Sequence, residues 1–208
     1  MRAAARKYAI LEPVAIFVAI MAYIWELRFT HPGMFLAILA MMVVSNRVHR
    51  EDADRLGFRL ANLKECCEKF APGVVLLGLT LLAAGILTQS LRSMRADQAV
   101  LAWTAYLPWG VLQQYVLNGY FLNRLEASVS RRAAPAISAA LFSGAHMPNW
   151  FLMAVTLVFG YVCARIYRRH PNLYFLGAAH ATLGFLVLLV VPDSISHHLI
   201  VGPGWFVR

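Results

Sequence analysis

Residues 98–123 read QAVLAWTAYLPWGVLQQYVLNGYFLN, 26 consecutive positions without Asp, Glu, Lys or Arg. A bilayer needs about 20 apolar residues per helix, so the run is long enough to span one. Its later half nevertheless carries Gln113, Gln114 and Asn118. Polar groups at that depth are costly and normally face a bundle interior. The stretch therefore predicts a membrane helix that presents an amide cluster to its neighbours.

The rest of the chain repeats the pattern. Residues 29–46, 70–91 and 170–192 are also free of charge, and 133–164 forms a charge-free run of 32 residues, too long for one span. Pro148 lies inside that run, and proline disfavours helical geometry in the residue before it. The run divides into a short helix near 135–147 and a second near 149–167. The stretch 8–25 holds one charge, Glu12, and follows Arg2, Arg6 and Lys7. It has the look of a signal peptide, but no small-x-small cleavage site follows, and it reads as a retained span. The expectation is all-α: a polytopic bundle of about seven transmembrane helices, forming a single integral membrane domain over 1–208.

Composition agrees. Of the 208 residues 60% are hydrophobic and 14% charged, with mean hydropathy +0.61. Soluble domains carry roughly 45–50% apolar and about 25% charged residues, so disorder and an ordinary cytosolic domain are excluded. The net charge of +9 would suggest nucleic acid on a soluble protein, but its distribution says otherwise. With the N-terminus inside, 15 of the 19 Lys and Arg residues fall on the inner side and 4 on the outer. That is a topology signal, placing the C-terminus outside, and no nucleic-acid partner is expected. Membrane lipid is the first expected partner.

In the long inner loop Leu56, Leu60, Leu63, Cys67 and Phe70 recur at helical spacing. They predict an amphipathic helix on the cytoplasmic face of the membrane. Cys66, Cys67 and Cys163 form no CxxC pair, and the first two are adjacent, so all three read as free thiols.

Three helices carry polar side chains at one depth. At 1.5 Å per residue from the inner charges, Gln113 lies roughly 16 Å deep, His180 roughly 15 Å and His146 roughly 21 Å. Asn149 follows the break at Pro148. One intramembrane histidine is usually a satisfied core residue; two histidines and an amide cluster at one level point to a site. Gln113, His146 and His180 are its candidate catalytic residues. Two histidines without an acidic partner make a poor zinc site, so neither metal nor cofactor is expected. Glu12 reads as an interfacial residue at a helix start, where the dipole favours it.

The segment 107–187 resembles the CAAX prenyl protease and bacteriocin-processing family, called CPBP or Abi. Its members carry EExxxR, FxxxH and HxxxN on successive helices. Here the second motif is Phe142-Ser143-Gly144-Ala145-His146, followed by Met147-Pro148-Asn149. Of the third, His180 is present, with Gly184 where asparagine is expected. The first reads Gln113-Gln114-Tyr115-Val116-Leu117-Asn118, followed by Gly119. The resemblance implies an intramembrane endopeptidase of the bacterial cytoplasmic membrane, acting on hydrophobic or lipidated peptides. Its first motif glutamate would activate water, and the second would pair with the arginine one turn on. In this chain both glutamates are Gln and the arginine is Asn. Gln113 can hold a water but cannot take its proton; His146, His180 or Glu12 would have to serve as base. The alternative is a non-catalytic binding, accessory or immunity protein that keeps the cavity, with Gln114, Asn118, Phe142, Asn149 and Gly184 supporting it.

Overall fold

The computed structural model describes residues 9–207, and all its regular structure is helical. Helix α1 (Leu11–Ala22) runs through a π-helical turn (Tyr23–Leu27) to Thr30; α2 is Met34–Val48, α3 Leu63–Leu87 and α4 Ala96–Gln114. A π-helical segment, Tyr115–Leu122, leads into α5 (Asn123–Ser128). Then come α6 (Ala134–Gly144), α7 (Trp150–Tyr167), α8 (Leu173–Val190) and the short α9 (Asp193–Ser196). Arg2, Arg6, Lys7, Tyr8 and Arg208, used in the charge count and the span limits, lie outside the described residues.

Each charge-free stretch coincides with a helix. Among the described residues, four helical stretches are long and apolar enough to cross a membrane: Leu11–Thr30, Leu63–Leu87, Trp150–Tyr167 and Leu173–Val190. Met34–Val48 and Ala134–Gly144 are shorter apolar helices. Many large apolar side chains, such as Leu76, Leu79, Leu101 and Val158, are exposed, as expected where lipid is the outer solvent. This is an integral membrane protein.

The 133–164 run breaks where expected. Helix α6 starts with Pro135 in its first turn, where a missing N–H costs nothing. It ends before His146, and the Met147–Pro148 peptide is cis.

The surface helix is not there. Residues 51–62 are extended or in turns, and helix begins only at Leu63. Gly57 is the reason: its φ is +87°, and a Cβ there would stand 3.1 Å from the Pro171 carbonyl carbon and 3.2 Å from the Asn172 nitrogen. The apolar stripe is also not one face, since Leu56 is buried while Leu60 is 71% exposed. Leu56 belongs to a turn that docks by backbone, with the Tyr167 hydroxyl donating to its carbonyl at 3.0 Å. The three cysteines are free thiols, Cys66 and Cys163 buried and Cys67 exposed.

The chain forms two compact units. One comprises the described residues of Met1–Asp52 with Leu117–Ile166 and Ile200–Arg208. In it α1 packs on α2 and α5 on α6. The other comprises Ala53–Val116 and Tyr167–Leu199. There α8 is central and packs on both α3 and α4.

Candidate functional site

In the second unit the approach of α4 to α8 is set by two glycines. A Cβ on Gly110 would lie 2.4 Å from the Gly177 carbonyl oxygen, and one on Gly177 would lie 2.4 Å from Val111 Cγ2 and 2.6 Å from its Cα. Small residues let membrane helices meet backbone to backbone. One turn further along each helix stand Gln114 and His180, both buried. Gln114 Nε2 donates to His180 Nδ1 at 3.0 Å. An amide nitrogen only donates, so Nδ1 accepts and the imidazole proton sits on Nε2. His180 therefore offers a donor at its other nitrogen.

The start of α8 is fixed by Asn172. This fully buried side chain accepts from the Phe175 N–H at 2.8 Å and donates to the Arg59 carbonyl at 3.0 Å and to Asn62 Oδ1 at 2.8 Å. It is an N-cap that also fastens the turn before α3.

Gln113 is half-buried. Its Oε1 is buried and, among the described residues, meets no hydrogen-bond donor. Gly184 stands against Tyr106: a Cβ would lie 3.0 Å from the ring Cε1. The place that an asparagine side chain would enter is filled by that aromatic ring.

The first unit holds the other candidates. His146 Nδ1 donates to the Phe142 carbonyl at 2.7 Å, and the two rings meet edge to face at 4.9 Å. A carbonyl only accepts, so here the proton is on Nδ1 and Nε2 carries the lone pair. The two histidines thus present opposite functions at Nε2: His146 an acceptor, His180 a donor. Asn149, fully buried, caps α7 through Oδ1 to the Leu152 N–H and donates to the Ile200 carbonyl, both at 3.1 Å. Asn118 is fully buried. It lies in the π-helical segment Tyr115–Leu122.

A second polar network in this unit is one that sequence reasoning does not find. Arg124, 4% exposed, donates to Asn46 Oδ1 at 2.6 Å, to Glu51 at 2.7 Å and to Ser45 Oγ at 3.0 Å, and stands 3.3 Å from Glu12. Glu12 also accepts from Ser45 and, at 3.1 Å, from the Tyr120 hydroxyl. Glu12 is in the first turn of α1 as expected, but it is bound into a network rather than merely interfacial. The available signal was Arg124 itself, a lone cation next to the 98–123 run, which charge counting assigns to topology. Among the described residues, no three His, Cys, Asp or Glu side chains gather as a metal-binding set.

Gln113, Gln114, His180 and Gly184 thus belong to one unit, and Asn118, Phe142, His146 and Asn149 to the other. Residues 95–186 match the family model described as type II CAAX prenyl endopeptidase Rce1-like. No curated protein and no solved structure matches the chain. The matched segment is under half of the chain but contains both glutamines, both histidines and Asn118. Over this segment the chain is similar to the CAAX-protease-like membrane proteins that the model describes.

Proposed function

We propose that this protein binds hydrophobic or lipidated peptide segments within the membrane through its motif residues Gln113, His146 and His180, and that it lacks glutamate-dependent proteolysis. The observation that carries the reading is the uncharged Gln114–His180 hydrogen bond. A carboxylate at position 114 would accept from Nδ1–H and leave a lone pair on Nε2. The amide does the reverse and makes Nε2 a donor. Gln113 has no basicity to replace the family glutamate, and losing a general base typically costs 10²–10⁴ in rate. What remains is a set of donors and acceptors suited to hold a peptide carbonyl and a water. The order of the motifs along the chain supports these roles, with Gln114, Asn118, Phe142, Asn149 and Gly184 as supporting residues.

A second reading has its own support. With Nε2 a lone pair on His146 and a donor on His180, one imidazole could take a proton from water while the other stabilised the oxyanion. That would be histidine-based hydrolysis, without a glutamate.

Cleavage of a lipidated peptide by the purified protein separates these. The binding reading expects no product from the natural sequence. It also expects a gain of up to 10²–10⁴ when Gln113→Glu, Gln114→Glu and Asn118→Arg are combined. Gln113→Glu alone should rescue little, since an unpaired carboxylate at membrane depth stays protonated. Turnover by the natural protein that His146→Ala abolishes would establish the histidine reading instead.

The same proposal places seven spans in a bacterial cytoplasmic membrane, N-terminus inside and C-terminus outside, on the strength of the charge asymmetry. A reporter fused after residue 208 should read as external; a cytoplasmic signal there would overturn it.

A further inference from the structure

Outside the motif residues, an open groove of about 420 Å³ lies along α2, lined by Ala40, Met41, Val44 and Val48 and by the polar side chains of Glu12, Ser45 and His49. Its apolar walls belong to a helix face that is otherwise bare: Met41, Val44 and Val48 are 45%, 59% and 72% exposed. In a membrane protein that face is a lipid-facing one. The polar part of the lining sits at the last turn of α2, next to the exposed Arg47 and Arg50, and so at the boundary between hydrocarbon and water.

This polar part has an unusual hydrogen-bond balance. His49 Nδ1 lies 2.9 Å from the Ser45 carbonyl oxygen. A carbonyl only accepts, so Nδ1 carries the proton, and in the neutral ring Nε2 is a lone pair. That lone pair stands 3.9 Å from Glu12 Oε2. Glu12 Oε1 is already engaged by Ser45, Tyr120 and Arg124. With the ring neutral, two acceptors therefore converge, at a spacing that admits a donor between them. Among the described residues, Arg124 pairs with both carboxylates, Glu12 and Glu51.

We propose that this groove binds a membrane lipid whose headgroup ends in a primary ammonium. The ammonium has three donors, enough to bridge Glu12 Oε2 and His49 Nε2. The first part of an acyl chain lies along Ala40, Met41, Val44 and Val48, and the phosphate faces the Arg47 and Arg50 end. A trimethylammonium headgroup has no N–H and cannot bridge the pair; an anionic headgroup without an amine meets the Glu12 carboxylate. The site is independent of the peptide-binding proposal, as it uses none of the motif residues.

The test uses the full-length protein in nanodiscs of equal phosphatidylethanolamine, phosphatidylcholine and phosphatidylglycerol, followed by mass spectrometry of the lipid retained on release. Ethanolamine lipid should be enriched about tenfold over each of the others, the scale of one charge-assisted contact. Ala40→Trp, which fills the groove, and His49→Phe, which removes the acceptor, should each bring the ratio close to one. Neither touches Arg124, and an unchanged unfolding midpoint confirms that each variant is folded. Glu12→Gln should do the same if it folds. Dodecylamine should displace the lipid, and free ethanolamine should not, because the apolar walls contribute to binding. Equal retention of the ethanolamine and choline lipids, enrichment of the glycerol lipid, or enrichment that persists in folded Ala40→Trp would each overturn the proposal.

Discussion

Arg124 is buried among two carboxylates, a hydroxyl and an amide, whereas Gln114 and His180 are buried on each other with no charge at all. Both are polar groups removed from water, where each unmatched donor or acceptor costs about 1–3 kcal/mol and an unmatched charge more. The charged network meets that cost by surrounding one guanidinium with acceptors on several elements. The uncharged pair includes an amide–imidazole bond, at a place where two glycines bring the helices together. The difference teaches that this chain buries polar groups in two ways, one ionic and one built from neutral amide and imidazole. The family's first motif is ionic, yet here that position is made of amides, and the buried Arg–Glu set stands on Arg124 and Glu12 instead.

The largest effect should come from breaking the charged side. Arg124→Met leaves Glu12 and Glu51 without their cation and should cost about 3–5 kcal/mol, read as a lowered midpoint of unfolding in micelles. Arg124→Lys should cost less but not recover fully, because an ammonium cannot serve several acceptors with a planar fork.

On the uncharged side, Gly177→Ala drives a methyl group into Val111, whose backbone cannot yield. It should cost about 1–3 kcal/mol as overpacking and pull His180 away from Gln114. Val111→Ala in that background should recover only part, since the new methyl group still meets the main chain of residue 111.

Asn172→Ala removes the cap of α8 and strands the Arg59 carbonyl and Asn62. The cap alone is worth about 1 kcal/mol, and α8 should show faster amide exchange at Phe175 than at mid-helix positions. The smallest effect concerns a partly exposed pair. Arg92 donates to both oxygens of Asp193, one bond being 2.9 Å. That hydrogen bond holds the Asp193 carboxyl below its ordinary value. A depressed carboxylate stabilises above its unfolded pKa and loses that contribution as pH falls through the folded value. Acidification should therefore narrow the stability gap between the natural protein and Arg92→Ala, slightly and only at low pH.

The helices were legible because charge-free runs are a strong signal: 98–123, 170–192 and the break at Pro148 all have helical counterparts at the expected places. The surface helix failed because spacing alone cannot see Gly57, whose backbone conformation is imposed by its packing against Pro171 and Asn172. Among the candidate residues, His180 is buried and His146 half-buried, both in stretches that the charge-free runs had marked. The pairing of Gln114 with His180 was not legible, since it depends on the Gly110–Gly177 approach between distant segments. The packing of Gly184 against Tyr106 is likewise something periodicity does not reveal. Arg124 was hidden by its usefulness as a topology charge.

The central claim is that an amide at position 114 fixes His180 with its proton on Nε2. A ¹⁵N spectrum of histidine-labelled protein, assigned with His180→Gln, tests it directly. The account predicts a protonated Nε2 and an unprotonated Nδ1 for His180 in the natural protein, and the reverse in Gln114→Glu when that carboxylate is ionised by the added Asn118→Arg. A natural protein with its His180 proton on Nδ1 would contradict the account.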